Sequence, residues 1–122
     1  MKNRILLAED DKNLGFIIKN ELEEDDFSVD LVENGVEAVL SFIEKRQKIV
    51  FLDIKMPKLN GINALRIIKK IDPHITVIAF SGNARQEEID EMLQVGAEKC
   101  LTKPFEIQEL KFSMKERARP PS

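Results

Sequence analysis

Short apolar runs alternate along this chain with segments in which apolar residues recur every three or four positions. Short apolar runs bounded by polar residues are typical of buried parallel strands, and the wider spacing is typical of amphipathic helices. Five strand–helix units result, with strand cores at residues 5–8, 27–32, 49–52, 77–80 and 100–101. The pattern therefore predicts an α/β fold, in which a doubly wound five-stranded parallel sheet carries helices on both faces.

Five helices are expected from apolar faces at helical spacing. The face residues are Leu14, Ile17, Ile18 and Leu22; Val36, Val39, Leu40 and Ile43; Ala64, Ile67, Ile68 and Ile71; Ile89, Met92 and Leu93; and Ile107, Leu110 and Met114. Phe112 is also expected to pack inside the protein. Asn34-Gly35 and Asn60-Gly61 predict turns before the second and third helices, and Asp72-Pro73 ends the third.

Two strands differ from the rest and suit the edges of the sheet. The second strand alternates apolar and polar residues and the fifth is short, so both suit the edges of a flavodoxin-like sheet of order 2-1-3-4-5. A chain of 122 residues with 43% hydrophobic content can bury one core. We expect one domain over residues 1–116, and a tail or truncated linker over residues 117–122.

The charge balance excludes some functions and favours a location. Nineteen basic residues face 22 acidic ones, for a net charge of −3, which gives no general case for binding nucleic acid or an anionic membrane. The sequence has no run of eighteen apolar residues and no signal-peptide pattern, so we expect a cytoplasmic protein. The single cysteine, Cys100, can form neither an internal disulfide nor a zinc site by itself.

Polar residues with chemical potential follow four of the predicted strands. These residues are Glu9, Asp10 and Asp11 after the first strand, Asp53 after the third, Ser81 after the fourth and Lys103 after the fifth. Because ligands of such sheets gather at the carboxyl edge of the strands, we expect the six residues to converge on one crevice. The pattern suits a phosphoryl-transfer site.

Three successive acids need a compensating charge, and oxygen ligands beside a phosphate suit Mg²⁺. Asp11 is equally well explained as the cap of the first helix. Asp53 ends a buried strand and is the candidate nucleophile, whereas an isolated acid there could simply begin a loop. Lys103 could be a solvated lysine and Ser81 a turn serine, but their positions favour contacts with a phosphoryl group.

Taken together, the motifs closely resemble the receiver domain of bacterial two-component response regulators. They are Glu9-Asp10-Asp11, residues 52–57 (LDIKMP) followed by Asn60-Gly61, Ser81-Gly82, and Lys103-Pro104-Phe105. The resemblance extends from Ile5 to about Met114. It implies a phosphoacceptor signalling domain of a phosphorelay, rather than an enzyme, in which a sensor histidine kinase or phosphotransfer protein supplies the phosphoryl group.

The resemblance also implies a role for each site residue. Asp53 accepts the phosphoryl group, while Asp10, Asp53 and the backbone carbonyl of Lys55 bind Mg²⁺ directly and Glu9 acts through water. Ser81 bonds one phosphoryl oxygen and Lys103 another, and the Lys103-Pro104 peptide bond is cis. The phosphorylated state then switches a downstream output domain or partner protein, or forms a phosphorylation-dependent homodimer.

Two positions depart from the family pattern. Asn60 stands where many members have aspartate before the loop glycine, a change that leaves the site intact. Cys100 stands where the family usually has a tyrosine or phenylalanine that acts as a switch. The chemistry at Asp53 is unaffected by this change, but the usual export of the signal is put in question.

Two rival functions remain. A phosphatase of the haloacid dehalogenase type also forms an aspartyl phosphate beside Mg²⁺, but it places its nucleophile after the first strand with a second aspartate two residues later. Here the residue two positions after Asp53 is Lys55. A scaffold that needs no phosphate is disfavoured by the presence of Asp53, Ser81 and Lys103. His74 has no partner of catalytic type nearby in the sequence and is expected to be a solvated loop residue.

Overall fold

A computed structural model describes residues 3–118, in which strands and helices strictly alternate. The strands are β1 (Asn3–Ala8), β2 (Phe27–Val32), β3 (Ile49–Asp53), β4 (Thr76–Ser81) and β5 (Lys99–Thr102). The helices are α1 (Lys12–Glu24), α2 (Gly35–Lys45), α3 (Gly61–Ile71), α4 (Gln86–Val95) and α5 (Ile107–Ala118). Each predicted strand and helix is thus present, with strand ends extended by one or two residues at most.

The strands form one parallel sheet in the order β2-β1-β3-β4-β5. This is the predicted order, with β2 and β5 at the edges. β1, β3 and β4 occupy the centre, where their side chains are covered on both faces. Continuous apolar runs are required there because alternate side chains enter opposite cores. In β1, for example, Ile5 and Leu7 enter one core while Leu6 and Ala8 enter the other.

The two cores show which helices cover each face. The first contains buried residues of α2, α3 and α4, among them Phe42, Leu65 and Met92. The second contains residues of α1 and α5, such as Ile18 and Leu110, together with Phe51 and Phe80 of the sheet. The rings of Phe51 and Phe80 stack with centroids 5.7 Å apart, and Phe105 continues the stack 5.0 Å from Phe80. The prediction of helices on both faces is therefore confirmed.

Several residues expected on the buried helix faces are in fact exposed. Their exposed fractions lie between 38% and 60%, and they are Ile17, Val36, Leu40, Ile43, Ile67, Leu93 and Phe112. A helix packed on a sheet buries only one stripe of its surface, so surplus apolar residues beside that stripe face solvent. In α2 the buried stripe consists of Gly35, Ala38 and Phe42. The prediction for α2 was therefore wrong in its choice of face.

The last helix runs to the end of the described residues. α5 runs to Ala118, two residues beyond the expected end of the domain at residue 116. The rest of the predicted tail, residues 119–122, lies outside the described residues. Within residues 3–118 no helix is long and apolar enough to cross a membrane.

Candidate functional site

The parallel sheet brings the acids after β1 and β3 together. β1 and β3 are neighbours, with Ala8 beside Leu52 in the register, so the residues that follow both strands leave the sheet side by side. Carboxylate oxygens of Glu9, Asp10 and Asp53 all lie within 4.8 Å of one another. Glu9 and Asp53 are buried, whereas Asp10 is exposed. The predicted convergence of these three acids is observed.

Lys103 reaches the same cluster from the end of β5. Its Nζ lies 2.7 Å from Oε1 of Glu9 and 2.8 Å from Oδ2 of Asp53. The backbone fixes this position, because the N–H of Lys103 donates to the carbonyl of Ser81 at 2.6 Å. Only 21% of the Lys103 side chain is exposed. Lys103 is thus a member of the acid cluster and not a solvated surface lysine.

The cluster contains more carboxylates than ammonium groups, and its burial makes this imbalance unfavourable. Burial raises the pKa of Glu9 to about 7; Lys103 counteracts this and the neighbouring Asp53 adds to it. Burial alone would lower the pKa of Lys103, but the bonds to Asp53 and Glu9 outweigh it and raise that pKa. One ammonium therefore serves two buried carboxylates, with a third carboxylate close by.

A divalent cation fits this arrangement. The donor set consists of hard carboxylate oxygens, and one of the three acids, Asp10, opens to solvent. Mg²⁺ prefers such ligands and usually keeps several waters, so an exposed cluster suits it better than a closed cage would. Burial is the main reason why the pKa of Glu9 is raised, and the neighbouring Asp53 adds to it; a bound cation would offset both by stabilising the ionised carboxylates.

The role of Asp11 is decided by its contacts. Its Oδ1 accepts hydrogen bonds from the backbone N–H groups of Asn13 at 3.0 Å and Leu14 at 3.2 Å. These are the N-terminal amides of α1, so Asp11 is the helix cap. Asn60 does the same for α3, accepting from the N–H of Asn63 at 2.9 Å. An amide oxygen suffices for that purpose, which accounts for asparagine at this position.

Gly61 keeps the loop after β3 close to the phosphoacceptor candidate. A Cβ at this position would lie 2.3 Å from the carbonyl oxygen of Asp53, far inside van der Waals contact. The N–H of Gly61 donates to the carbonyl of Ile54 at 2.9 Å. Any side chain here would push the loop away from the strand, so glycine is required by the close approach of two backbone segments.

Ser81 and Lys55 lie at the rim of the cluster. Ser81 ends β4 and is buried, with its Oγ accepting from the N–H of Ala84 at 3.2 Å. The backbone N–H of Lys55 donates to Oδ1 of Asp53 at 3.1 Å. Their expected contacts, from Ser81 to a phosphoryl oxygen and from the Lys55 carbonyl to a metal, stay predictions. The Lys103-Pro104 peptide bond is cis, as the resemblance implies.

Cys100 occupies the middle of β5 beside Ala79. It is half-buried and packs against the core under α2, α3 and α4. Burial raises the pKa of the thiol, which disfavours the reactive thiolate. Its surroundings are those of a small packing residue, and its part in switching stays a prediction. His74 is exposed in the loop before β4, as expected.

One contact near the site was not predicted from the sequence. The side-chain Nζ of Lys55 lies 3.0 Å from Oε2 of Glu88 in the first turn of α4. The two residues belong to different strand–helix units, and neither occurs in a motif that would connect them. Only the packing of α4 beside the loop after β3 brings them together.

Comparison with known proteins establishes the family. The response regulator receiver domain family matches residues 5–115. The chain is 40% identical over 110 residues to the transcriptional regulatory protein CpxR homolog of Haemophilus influenzae, covering 88% of this chain and 47% of that protein. It is 36% identical over 107 residues to the chemotaxis protein CheY of Bacillus subtilis, covering 87% of this chain and 89% of that protein.

Solved structures agree with this assignment. A CheY-like response regulator receiver domain from Methanospirillum hungatei superimposes with a TM-score of 0.92 at 26% identity, over 96% of this chain and 94% of the other. The chain therefore belongs to the response regulator receiver domain family, whose members are signalling switches. It spans about half the length of transcriptional regulators such as the CpxR homolog, and most of the length of CheY.

Proposed function

We propose that this domain is the phosphoacceptor of a two-component phosphorelay, with Asp53 as the residue that is phosphorylated. The observation that carries the proposal is the shared contact of Lys103 with Asp53 and Glu9, at 2.8 Å and 2.7 Å. The ammonium contacts the carboxylate that would be phosphorylated, so it would lie close to the oxygens of a phosphoryl group on Asp53. Phosphoryl transfer depends mainly on such positioning and charge stabilisation.

The proposed reaction assigns a task to each group of the site. An oxygen of Asp53 attacks phosphorus, the bond from phosphorus to the donor's imidazole nitrogen breaks, and the imidazole leaves with the electron pair. Lys103 and the hydroxyl of Ser81 bind phosphoryl oxygens. Asp10, Asp53 and the Lys55 carbonyl would hold Mg²⁺ directly, with Glu9 acting through water. The ion would supply neutralisation of the acids and of the incoming phosphoryl group.

The wider context of the proposal follows from the family. The domain, residues 1–116, would act in the cytoplasm and receive phosphate from a sensor histidine kinase or phosphotransfer protein. Its phosphorylated form would switch a downstream output domain or a partner protein, or form a homodimer. We assign no nucleic-acid or membrane binding to the domain itself, and we class it as a switch that assists its own phosphorylation rather than as an enzyme.

The first prediction tests Asp53 directly. Incubation with acetyl phosphate and Mg²⁺ should add one labile phosphate to the wild type, as measured by intact mass spectrometry, because the acids admit the anion only beside a cation. Asp53→Asn should gain none. Asp72→Asn removes a different carboxylate, at the end of α3, and should be phosphorylated like the wild type.

Two outcomes would contradict the assignment. An equal adduct on Asp53→Asn would show that another residue is phosphorylated. No adduct on a folded wild type, with either a small phosphodonor or a phosphorylated kinase, would favour the scaffold function instead.

A further inference from the structure

A second lysine lies in the loop that follows Asp53, and a residue of α4 holds its ammonium. Lys55 follows Asp53 by two positions, and its backbone N–H donates to Oδ1 of Asp53. Its side chain turns instead to Glu88, with Nζ 3.0 Å from Oε2. The contact connects the loop after β3 with the first turn of α4. Within residues 3–118 it therefore gives a direct ionic connection between the phosphoacceptor loop and that helix.

Glu88 uses its two oxygens for different purposes. Oε1 accepts a hydrogen bond from the backbone N–H of Arg85 at 3.0 Å, which closes the first turn of α4. Oε2 pairs with Lys55. The bond from the Arg85 backbone and then the Lys55 ammonium lower the pKa of this carboxyl. One carboxylate thus caps the helix and also holds the lysine.

Phosphorylation would change the competition for Lys55. A phosphoryl group carries up to about two negative charges at neutral pH, compared with one on the Asp53 carboxylate that it replaces. Lys103 is already shared between Glu9 and Asp53. The Lys55 side chain is 51% exposed, so its flexible stem can turn without leaving a packed core. The phosphoryl group and Glu88 therefore compete for the same cation.

We infer that Lys55 supplies a second positive charge to the phosphoryl group, and that Glu88 binds this lysine until Asp53 is phosphorylated. The inference rests on the proposed function. When Asp53 is phosphorylated, Lys55 turns from Glu88 toward the phosphoryl oxygens, and α4 is released from the loop. The helix cap on Arg85 is retained, so α4 can move as an intact helix. The coupling works in both directions, because whatever weakens the Lys55–Glu88 pair makes loading of the site easier.

Glu88→Gln separates the two functions of Glu88. Glutamine keeps the oxygen that accepts from the backbone N–H of Arg85, as in other capping boxes, but loses the charge that holds Lys55. It also loses the ion pair between Oε1 and the exposed Nε of Arg85, which lie 3.6 Å apart. Glu91→Gln is the matched control, since Glu91 lies on the same helix and pairs with Arg66 of α3, away from the loop. Each protein is titrated with beryllofluoride, a phosphoryl mimic, in the presence of Mg²⁺. Loading is followed by the fluorine signal, and α4 by the amide signals of residues 86–89.

We expect Glu88→Gln to bind beryllofluoride about two- to fivefold more tightly than the wild type, the range that an exposed ion pair supports. Before beryllofluoride is added, the amide chemical shifts of the first turn of α4 in Glu88→Gln should lie between those of the wild type without and with beryllofluoride. The difference in affinity should shrink in about 0.5 M NaCl, because salt screens exposed charges. Glu91→Gln should match the wild type in affinity.

Equal affinities for the wild type and Glu88→Gln, with unchanged unloaded signals in α4, would overturn the inference while leaving the proposed function intact. An equal gain in beryllofluoride affinity in Glu91→Gln would also overturn the inference, since the effect would then come from the net charge of α4 and not from the Lys55–Glu88 pair. A wild type that does not bind beryllofluoride at all would overturn both the inference and the proposed function.

Discussion

At the scale of single residues, the site divides its acids between two tasks. Glu9 and Asp53 are buried and share Lys103, whereas Asp10 is exposed and has no ammonium at that distance among the described contacts. An exposed carboxylate is the more accessible ligand for an incoming ion. In the proposed function Lys103 and Ser81, by contrast, bind an anion attached to Asp53. Metal binding and phosphate binding should therefore respond to different substitutions.

We predict that Asp10→Ala weakens Mg²⁺ binding at least about tenfold, since it removes one carboxylate ligand of a site with few protein ligands. Lys103→Ala should not weaken Mg²⁺ binding, because it removes a positive charge from the metal site. Ser81→Ala should leave it unchanged. Calorimetric titration with MgCl₂ measures all three. Lys103→Ala as the weakest binder would require the roles of Lys103 and Asp10 to be exchanged.

The sequence predicted these residues because parallel strands deliver their carboxyl ends to one edge of the sheet. It left Asp11 open between cap and metal ligand, since both functions need the same carboxylate in the same place, and only its bonds to Asn13 and Leu14 decide. The Lys55–Glu88 pair could not be predicted from the sequence. It depends on how closely α4 approaches the loop, which no local pattern encodes.

At the scale of elements, β5 and α4 are the parts through which, in the proposed function, a signal would leave the site. Cys100 lies in β5 where the family usually has an aromatic residue, and its thiol packs against the core below α4. A thiol is a compact hydrophobe and cannot sweep through space as an aromatic ring does.

The helix faces were also harder to predict than the strands. Because α2 has apolar residues on more than one side, its sequence does not show which side packs against the sheet. In the structure the buried residues are Gly35, Ala38 and Phe42.

We predict that loading with beryllofluoride shifts the loop at Ser81-Gly82-Asn83 but perturbs the surface around Cys100 little. In Cys100→Tyr the same loading should produce larger amide shifts across β5 and α5, because a ring would respond to the movement of Ser81. Amide chemical-shift changes in the two proteins measure this. Large and equal changes in both would show that no aromatic residue is needed for the response.

At the scale of the whole molecule, an ion-pair cluster away from the site ties the edge strand to its neighbours. Asp30 of β2 contacts Arg4 of β1 at 3.1 Å, Lys45 at the end of α2 at 3.2 Å, and the amide of Gln47 at 3.1 Å. Burial alone would raise the pKa of Asp30, but Gln47, Lys45 and Arg4 outweigh it and lower that pKa below its ordinary 3.8. The charged form is therefore favoured in the folded state.

We predict that Asp30→Asn lowers the free energy of unfolding by about 1–2 kcal/mol at neutral pH, a loss typical of hydrogen bonds to a charged group. A lowered folded pKa means that the stability is present above the ordinary pKa and is lost as pH falls through the folded value. The difference from the wild type should therefore disappear in acid. Urea unfolding across pH measures it, with the exposed Asp90→Asn as control. A difference independent of pH would contradict the electrostatic explanation.

The sharing of one ammonium by two buried carboxylates has an evolutionary consequence. A buried acid whose pKa rises to about 7 disfavours the folded state when it is ionised. A substitution that neutralises Glu9 therefore tends to raise the free energy of unfolding, while it impairs the proposed function. Selection for stability alone would erase the site, and only continued selection for signalling retains it. Copies of this domain that are freed from signalling should accordingly lose Glu9 before they lose the fold.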